Sequence, residues 1–232
     1  MLIASLILSG SGCISNGPFG IRGEGPVVDR KLDLSTIKGI TLPTSAKVYL
    51  TQGSEQEVRV TGQENILDLL NRDVESEIWR IDFKRPVWQT EPLKVYITLE
   101  NLRSLKISGS GDVETVSRFT NQKDLEIRIS GSGKVNLDMD ARDIEANISG
   151  SGDLYLAGSA NELDFGISGS GNINAFDLSA RKANARISGS GGIELNAEDR
   201  LDAHISGSGS IFYKGDPKID TSITGSGSVR SR

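Results

Sequence analysis

The chain has 232 residues, 27 of them glycine, and a formal net charge of −5, a size that suits one domain or one elongated repeat array. An acidic chain whose basic residues are scattered is a poor candidate for binding nucleic acid. The sole cysteine and the sole histidine, Cys13 and His204, exclude an internal disulfide framework and a zinc cluster of Cys and His ligands.

The first thirteen residues contain an apolar run that ends at a cysteine. Residues 1–8 are almost entirely apolar, small residues occupy 9–12, and Cys13 follows. This order resembles a bacterial lipoprotein signal peptide, although the start has no basic residue and Gly10 stands where a large aliphatic residue is usual. The resemblance implies a signal peptide at 1–12, acyl chains on Cys13, and a flexible tether within 13–34. The alternative is a disordered N-terminus with an incidental cysteine.

Residues 35–106 carry weaker copies of the repeat that follows them. Residues 42–50 and 60–66 fit the frame of that repeat, and residues 77–83 and 93–99 alternate apolar and polar side chains as strands do. Trp79 and Trp88 fall in this irregular part, where a solenoid needs atypical capping units. We therefore predict irregular N-terminal coils of one continuous solenoid. The alternative is a separate small β-sandwich-like domain at 27–100.

From residue 107 the sequence Ile-Ser-Gly-Ser-Gly occurs six times, and a seventh copy reads Ile-Thr-Gly-Ser-Gly; successive copies are 22, 19, 19, 20, 18 and 18 residues apart. Alternation with period two on both sides of each Gly-Ser-Gly indicates strand, bend and strand, with one coil per repeat. The predicted fold is an all-β, right-handed, single-stranded parallel β-helix, or solenoid, over 35–232 with the regular repeats at 107–232. We expect about nine or ten coils. The predicted corners are Gly109, Gly111, Gly131, Gly133, Gly150, Gly152, Gly169, Gly171, Gly189, Gly191, Gly207, Gly209, Gly225 and Gly227.

Stacking the repeats places acidic residues in one outward stripe, beside a partly basic column and the serines of the corners. The stripe consists of Glu126, Glu145, Asp164, Asp202 and Asp220. It is either a solvated face with weak ion pairs or a surface that binds a cation or another ligand. Calcium-binding nonapeptide repeats are disfavoured because Lys134 and Gly192 interrupt the column after the corners, and ice-binding β-helices generally use Thr rather than Ser. We predict no metal site and no cofactor.

The serial Ile-Ser-Gly-Ser-Gly units, the upstream segment Ala-Lys-Val-Tyr-Leu-Thr-Gln-Gly at 46–53, and the lipoprotein-like start together resemble the putative auto-transporter adhesin head GIN domain family (DUF2807). The resemblance covers nearly all of residues 35–232. It implies an exported β-helical protein of the kind found in Bacteroidetes, with an adhesive role and no defined catalytic residues.

We therefore expect a lipid-anchored outer-membrane protein of the cell envelope, facing the periplasm or the surface, that binds a glycan or a surface protein through its repetitive face. Two alternatives remain: a structural or stress-related envelope component, and a β-helical enzyme acting on polysaccharide. The enzyme is disfavoured because the carboxylates are spread over every coil rather than clustered, and we predict no catalytic residues. An open strand edge at the C-terminus predicts end-to-end homodimers.

Overall fold

A parallel β-solenoid of about seven turns makes up most of the molecule, which confirms the predicted fold class. The structure, a computed structural model, describes residues 16–17, 20–88 and 90–232. The N-terminal elements are β1 (Asn16–Gly17), β2 (Gly20–Arg22), β3 (Val27–Leu32), β4 (Gly39–Leu42), β5 (Lys47–Gln52), β6 (Glu57–Gln63), α1 (Glu64–Leu67), β7 (Val74–Glu75), β8 (Ile78–Arg80), β9 (Val87–Trp88) and β10 (Lys94–Leu99). The repeat region comprises β11 (Ser104–Ile107), β12 (Asp112–Thr115), β13 (Phe119–Gln122), β14 (Leu125–Ile129), β15 (Lys134–Ala141), β16 (Asp143–Gly150), β17 (Asp153–Gly169), β18 (Asn172–Gly189), β19 (Gly192–Gly207), β20 (Ser210–Lys214), β21 (Lys218–Gly225) and β22 (Ser228–Ser231).

Each regular coil has two strand segments that meet at a Gly-Ser-Gly corner. Both segments pair in parallel with the same segments of the next coil, so that Ile148 lies opposite Ile167 before the corner and Leu154 lies opposite Ile173 after it. This register stacks the repeat isoleucines into one inward column, and from Ile107 to Ile205 they are at most 3% exposed. A single coil could not bury this surface alone, so neighbouring coils stabilise one another.

The number of coils is smaller than the predicted nine or ten because β3 and β6 run antiparallel and do not continue the winding. The predicted strands at 77–83 and 93–99 do stack in parallel, since β8 pairs with β4 and β10 pairs with β5. The predicted copy at 42–50 does join the stack, since Leu42 lies opposite Ile107 and Val48 lies opposite Val113. The predicted copy at 60–66 does not, because it forms the end of β6 and the start of α1, and β6 pairs antiparallel with both β3 and β10. An alternating pattern specifies which side chains point inward but not the direction of the strand.

Antiparallel strands and a buried tryptophan close the N-terminal end of the stack. β7 pairs antiparallel with β8, and β3 lies antiparallel at the outer edge of β6. The side chain of Trp79 is fully buried, and its indole Nε1 donates a hydrogen bond to the Asn71 carbonyl oxygen at 3.0 Å. Trp79 therefore has the core role that solenoid caps require, whereas Trp88 is only half-buried.

The two glycines of a corner are needed for different reasons. Gly169, a first glycine, has φ +140°, and a Cβ there would lie 2.5 Å from the Gly150 carbonyl oxygen of the preceding coil. Gly152, a second glycine, is buried, and a Cβ there would lie 2.5 Å from Cγ2 of Ile129 in the preceding coil. From Gly150 onward the first position therefore has a backbone conformation that favours glycine, and the second position needs the absence of a side chain.

Candidate functional site

The candidate site is the outward surface of the strand segment that leads into each corner, which we call the serine face. The strand pairing places its outward residues in three parallel columns. The acidic column is Glu126, Glu145, Asp164, Asn184, Asp202 and Asp220. The middle column is Arg128, Asn147, Gly166, Arg186, His204 and Ser222. The serine column is Ser149, Ser168, Ser188, Ser206 and Thr224.

Arginines hold most of the carboxylates of the predicted acidic stripe. The pairs are Glu126 with Arg128, Glu145 with Arg128 at 3.4 Å, Asp164 with Arg186 at 3.0 Å, and Asp202 with Arg200 at 2.7 Å. Asp220 has no ion-pair partner in the part of the chain that the structure describes. Pairs as exposed as these add little to stability. Their effect is to neutralise the stripe and to fix the positions of the guanidinium groups.

In two of these pairs the electrostatics favour the charged form of a partner. A hydrogen bond from Arg200 holds the pKa of the Asp202 carboxyl below its usual range, and the positive charge of Arg200 adds to the effect. A hydrogen bond to Glu126 and the negative charge of that residue raise the pKa of Arg128. The serine face therefore presents alternating fixed charges rather than a block of free negative charge, which argues against a cation as its ligand.

A shallow groove of about 610 Å³ lies along the serine face. Arg128, Asn147, Arg186 and His204 line it on one side, and residues of the serine column line the other. Gly166 stands between Asn147 and Arg186 in the middle column and contributes no side chain. A Cβ at Gly166 would meet the carboxamide oxygen of Asn147, the far end of a flexible side chain. The groove is open at this coil because it lacks the side chain that the adjacent coils carry.

The hydroxyl groups of the serine column have no internal function in the fold. Ser149, Ser168, Ser188 and Ser206 are exposed, and none of their hydroxyls bonds to another group among the described residues. The neighbouring Ser130 makes a single long contact, from its Oγ to the Ile107 carbonyl oxygen at 3.4 Å. Each free hydroxyl can donate one hydrogen bond and accept others, so the column offers one unused polar group per coil.

The segments after the corners form an outward row in which four coils carry an aromatic residue and the coils between them carry Glu or Asn, a feature that was not predicted from the sequence. Tyr96 lies opposite Tyr49, with ring centroids 4.9 Å apart and ring planes inclined by 13°. Successive strand pairings place Tyr155 and Phe212 in the same row, and the Lys134 ammonium lies 4.7 Å from the Tyr155 ring centroid. The signal was present, because Tyr49, Tyr155 and Phe212 each follow the first inward residue after a corner.

A larger pocket of about 690 Å³ lies near the N-terminal end, between residues 44–47 and the segment 83–93. Its apolar lining includes Phe83, Val87, Trp88 and Leu93, and Lys47 contributes a positive charge. The Trp88 Nε1 donates to the Gly20 carbonyl oxygen at 3.2 Å, which orients the ring. A pocket of this size and mixed lining suits a small amphiphile.

Three other features bear on the predicted chemistry. Within residues 16–17, 20–88 and 90–232, no group of three or more His, Cys, Asp or Glu side chains is arranged to hold a metal ion. Among the described residues, no helix has the length and apolar character that crossing a bilayer requires. Cys13, the predicted site of lipidation, lies outside the described residues.

Comparisons with known proteins find matches over most of the chain. The family described as "Putative auto-transporter adhesin, head GIN domain" matches residues 37–217. Among solved structures, a putative lipid binding protein from Parabacteroides distasonis is 30% identical with a TM-score of 0.75, over 91% of this chain and 99% of that chain. A putative adhesin from Bacteroides fragilis is 27% identical with a TM-score of 0.83, over 91% and 100% of the two chains. No curated protein matches the sequence.

Proposed function

This chain belongs to the family of putative auto-transporter adhesins with a head GIN domain, and we propose that it is a cell-envelope binding module that holds an extended glycan along its serine face. The observation that carries this proposal is the column of free hydroxyls at Ser149, Ser168, Ser188 and Ser206, one per coil. Neighbouring coils are about 4.8 Å apart, so an extended glycan that lies along the face can contact the serines of several coils.

The middle and acidic columns supply the remaining contacts for such a chain. Arg186 is held against Asp164 at 3.0 Å, so its guanidinium is already oriented and keeps donors for a sugar hydroxyl. The groove is open at Gly166, where no side chain projects, and this leaves space for a sugar ring to approach the strand. Each contact is weak in water, but a ligand that spans several coils forms them together, and the combined affinity exceeds that of any single contact.

The proposal describes binding without catalysis. Most carboxylates of the serine face pair with arginines, and the structural relatives are named as a putative lipid binding protein and as putative adhesins. A glycosidase instead needs two carboxyl groups placed on either side of one bond, with one of them held in its protonated form.

The test uses the purified protein on a glycan array, followed by calorimetry with the best oligosaccharide. Arg186→Ala removes a donor, and Gly166→Arg fills the open position of the groove with the side chain that the next coil carries at Arg186. We expect each change to weaken binding about tenfold or more. Arg181→Ala is the matched control, because Arg181 pairs with Asp199 at 3.0 Å outside the serine face. Binding that no substitution alters would refute the site, and a protein that binds no glycan would favour the structural or scaffold role.

The same proposal places the protein at the outer membrane, anchored by acyl chains on Cys13. The support is the apolar run at 1–8, the small residues at 9–12 and the position of the sole cysteine directly after them. Two acyl chains bind a bilayer far more firmly than one. Metabolic labelling with an alkynyl fatty acid should mark the wild-type protein in the membrane fraction, and Cys13→Ser should abolish the label. Label that persists in Cys13→Ser would contradict the anchor.

The N-terminal pocket supports a second candidate function, the binding of an apolar ligand with a negatively charged group. Phe83, Trp88 and Leu93 would contact the hydrocarbon and Lys47 the charge. A relative that is 30% identical is named a putative lipid binding protein. Because Trp88 lines the pocket, an added fatty acid should change its fluorescence, and Trp88→Phe should remove that change while Trp79 still emits. An unchanged spectrum with saturating fatty acid would exclude this ligand.

A further inference from the structure

The inward columns are covered at the N-terminal end of the solenoid and exposed at the other end. At the N-terminal end, β3 and β7 close the stack and Trp79 is fully buried. At the other end, the coil formed by β21 and β22 has a neighbouring coil on only one side among the described residues. Its inward residues Ile219 and Ile223 are 39% and 43% exposed. The columns that hold the molecule together therefore emerge into solvent at this coil.

Among the residues that the structure describes, no strand pairs with the outer edge of β21. Strand β14 occupies the same place in its coil as β21 does. There the backbone N–H of Glu126 donates a hydrogen bond of 3.0 Å to the carbonyl oxygen of Arg103, in the preceding coil. Strand pairing places Asp220 in the same column as Glu126. The outward residues of β21 therefore bond to the preceding coil, and the inward residues 219, 221 and 223 direct their N–H and C=O groups to the free edge.

We infer that a second copy of this chain covers this edge, with β21 pairing antiparallel to β21 of the partner about a two-fold axis at Thr221. In this register Thr221 lies opposite its own copy and Ile219 lies opposite Ile223. These are the three inward residues whose backbone groups are free, so they form the hydrogen-bonded pairs of an antiparallel ladder. The inward side chains of both copies then lie on the same face of the joined sheet, and the buried columns continue from one copy into the other.

The adjacent registers are less favourable for physical reasons. A shift of one residue would place inward side chains opposite outward ones. A shift of two residues in one direction would set Asp220 against its own copy, and like charges in direct opposition are destabilising. The same shift in the other direction would set Ile219 against Gly225 and lose the apolar contact. In the inferred register Asp220 faces Ser222 and Lys218 faces Thr224, so no like charges stand directly opposite.

This contact joins two copies through a closed, isologous interface, and it goes beyond the proposed glycan binding. The two-fold axis makes the pairing self-limiting at a dimer. Two serine faces would be joined end to end, which doubles the number of coils that one polymer can engage. Glycan binding by a monomer would leave the proposed function intact, so failure of either proposal can be recognised separately.

The experiment is cysteine cross-linking of the full chain in a Cys13→Ser background. In the inferred register the two Thr221 Cα atoms are about 5.5 Å apart, a separation that a disulfide accepts. Thr221→Cys should therefore give a covalent dimer under mild oxidation, whereas the matched control Ser222→Cys, which faces position 220 of the partner, should not. Sedimentation analysis should show a reversible dimer for the unmodified protein, and Thr221→Lys, which buries two like charges at the axis, should weaken it about tenfold or more.

The variants are expected to fold, because Thr221 is exposed, and circular dichroism checks this directly. A protein that sediments as a monomer at all concentrations would overturn the inference. Equal cross-linking of Thr221→Cys and Ser222→Cys, or a dimer unaffected by Thr221→Lys, would overturn it as well.

Discussion

Gly169→Ala should destabilise the solenoid far more than the addition of one methyl group suggests. A residue other than glycine at φ +140° stores about 1–3 kcal/mol of backbone strain. The new Cβ would lie 2.5 Å from the Gly150 carbonyl oxygen, and relieving such overpacking costs about 1–3 kcal/mol. The lower entropy of the unfolded chain returns about 0.4–1 kcal/mol. The net expected loss is about 1–6 kcal/mol.

The oxygen that would be displaced also accepts the bonds that join this corner to the preceding one. Gly150 accepts from the Ser170 N–H at 3.0 Å and from the Gly171 N–H at 3.1 Å. Thermal unfolding followed by circular dichroism should show a midpoint lowered by at least about 2 °C. Hydrogen exchange should show early loss of protection at Ser170 and Gly171.

Gly166→Ala is the matched control for this prediction. It is also a glycine of β17, but its new Cβ would meet the end of the flexible Asn147 side chain rather than a backbone oxygen. The Asn147 side chain can rotate away, and this breaks only its exposed hydrogen bond of 2.9 Å to Glu145. We expect the free energy of unfolding of Gly166→Ala to stay within about 0.5 kcal/mol of the wild-type value. If Gly169→Ala and Gly166→Ala unfolded at the same temperature, the geometric account of the corners would be refuted.

Three further predictions concern the core and the surface charges. Ile205→Ala should cost about 2–5 kcal/mol in chemical denaturation, whereas Ile223→Ala at the same repeat position should cost much less, because Ile223 is 43% exposed; equal costs would contradict the column model. Glu145→Gln should leave the unfolding midpoint unchanged within error, since its pair with Arg128 is exposed. A hydrogen bond from Arg118 holds the pKa of the Asp140 carboxyl below its usual range, so its stabilisation is complete above about pH 4 and is lost as the pH falls through the lowered value. Asp140→Asn should therefore flatten the loss of stability as the pH falls below about 4, and an unchanged acid titration would contradict this.

The inward columns and the corners were predictable because packing fixes them in every coil. A position that must be small or apolar is visible in each copy, and even the imperfect copy at 42–50 showed that Leu42 and Val48 belong to the columns of Ile107 and Val113. The reversal at β6 was not predictable from the same signal. Val58 and Val60 are buried and alternate with exposed residues, and this pattern is the same in parallel and antiparallel strands.

The candidate site was only partly predictable because it depends on how neighbouring columns meet. The sequence indicated the acidic stripe, but the pairing of Asp164 with Arg186 crosses coils between residues 22 positions apart, and side-chain reach decides it. The absence of a side chain at Gly166 is plain in the sequence. That it opens a groove follows only once Asn147 and Arg186 are known to flank it.

The serine column gives the strongest reason to place function on this face, since duplication of the repeats does not account for it. The middle column lies on the same strands and has diverged to arginine, asparagine, glycine and histidine, whereas the serine column has stayed serine from Ser149 to Ser206. Packing does not require it, because these hydroxyls are exposed and make no bond with described residues. Replacing Ser168 and Ser188 together with alanine should therefore leave the unfolding midpoint unchanged and weaken glycan binding. If the double variant unfolded several degrees lower and bound normally, the serines would serve the bend of the chain and the ligand would have to lie elsewhere.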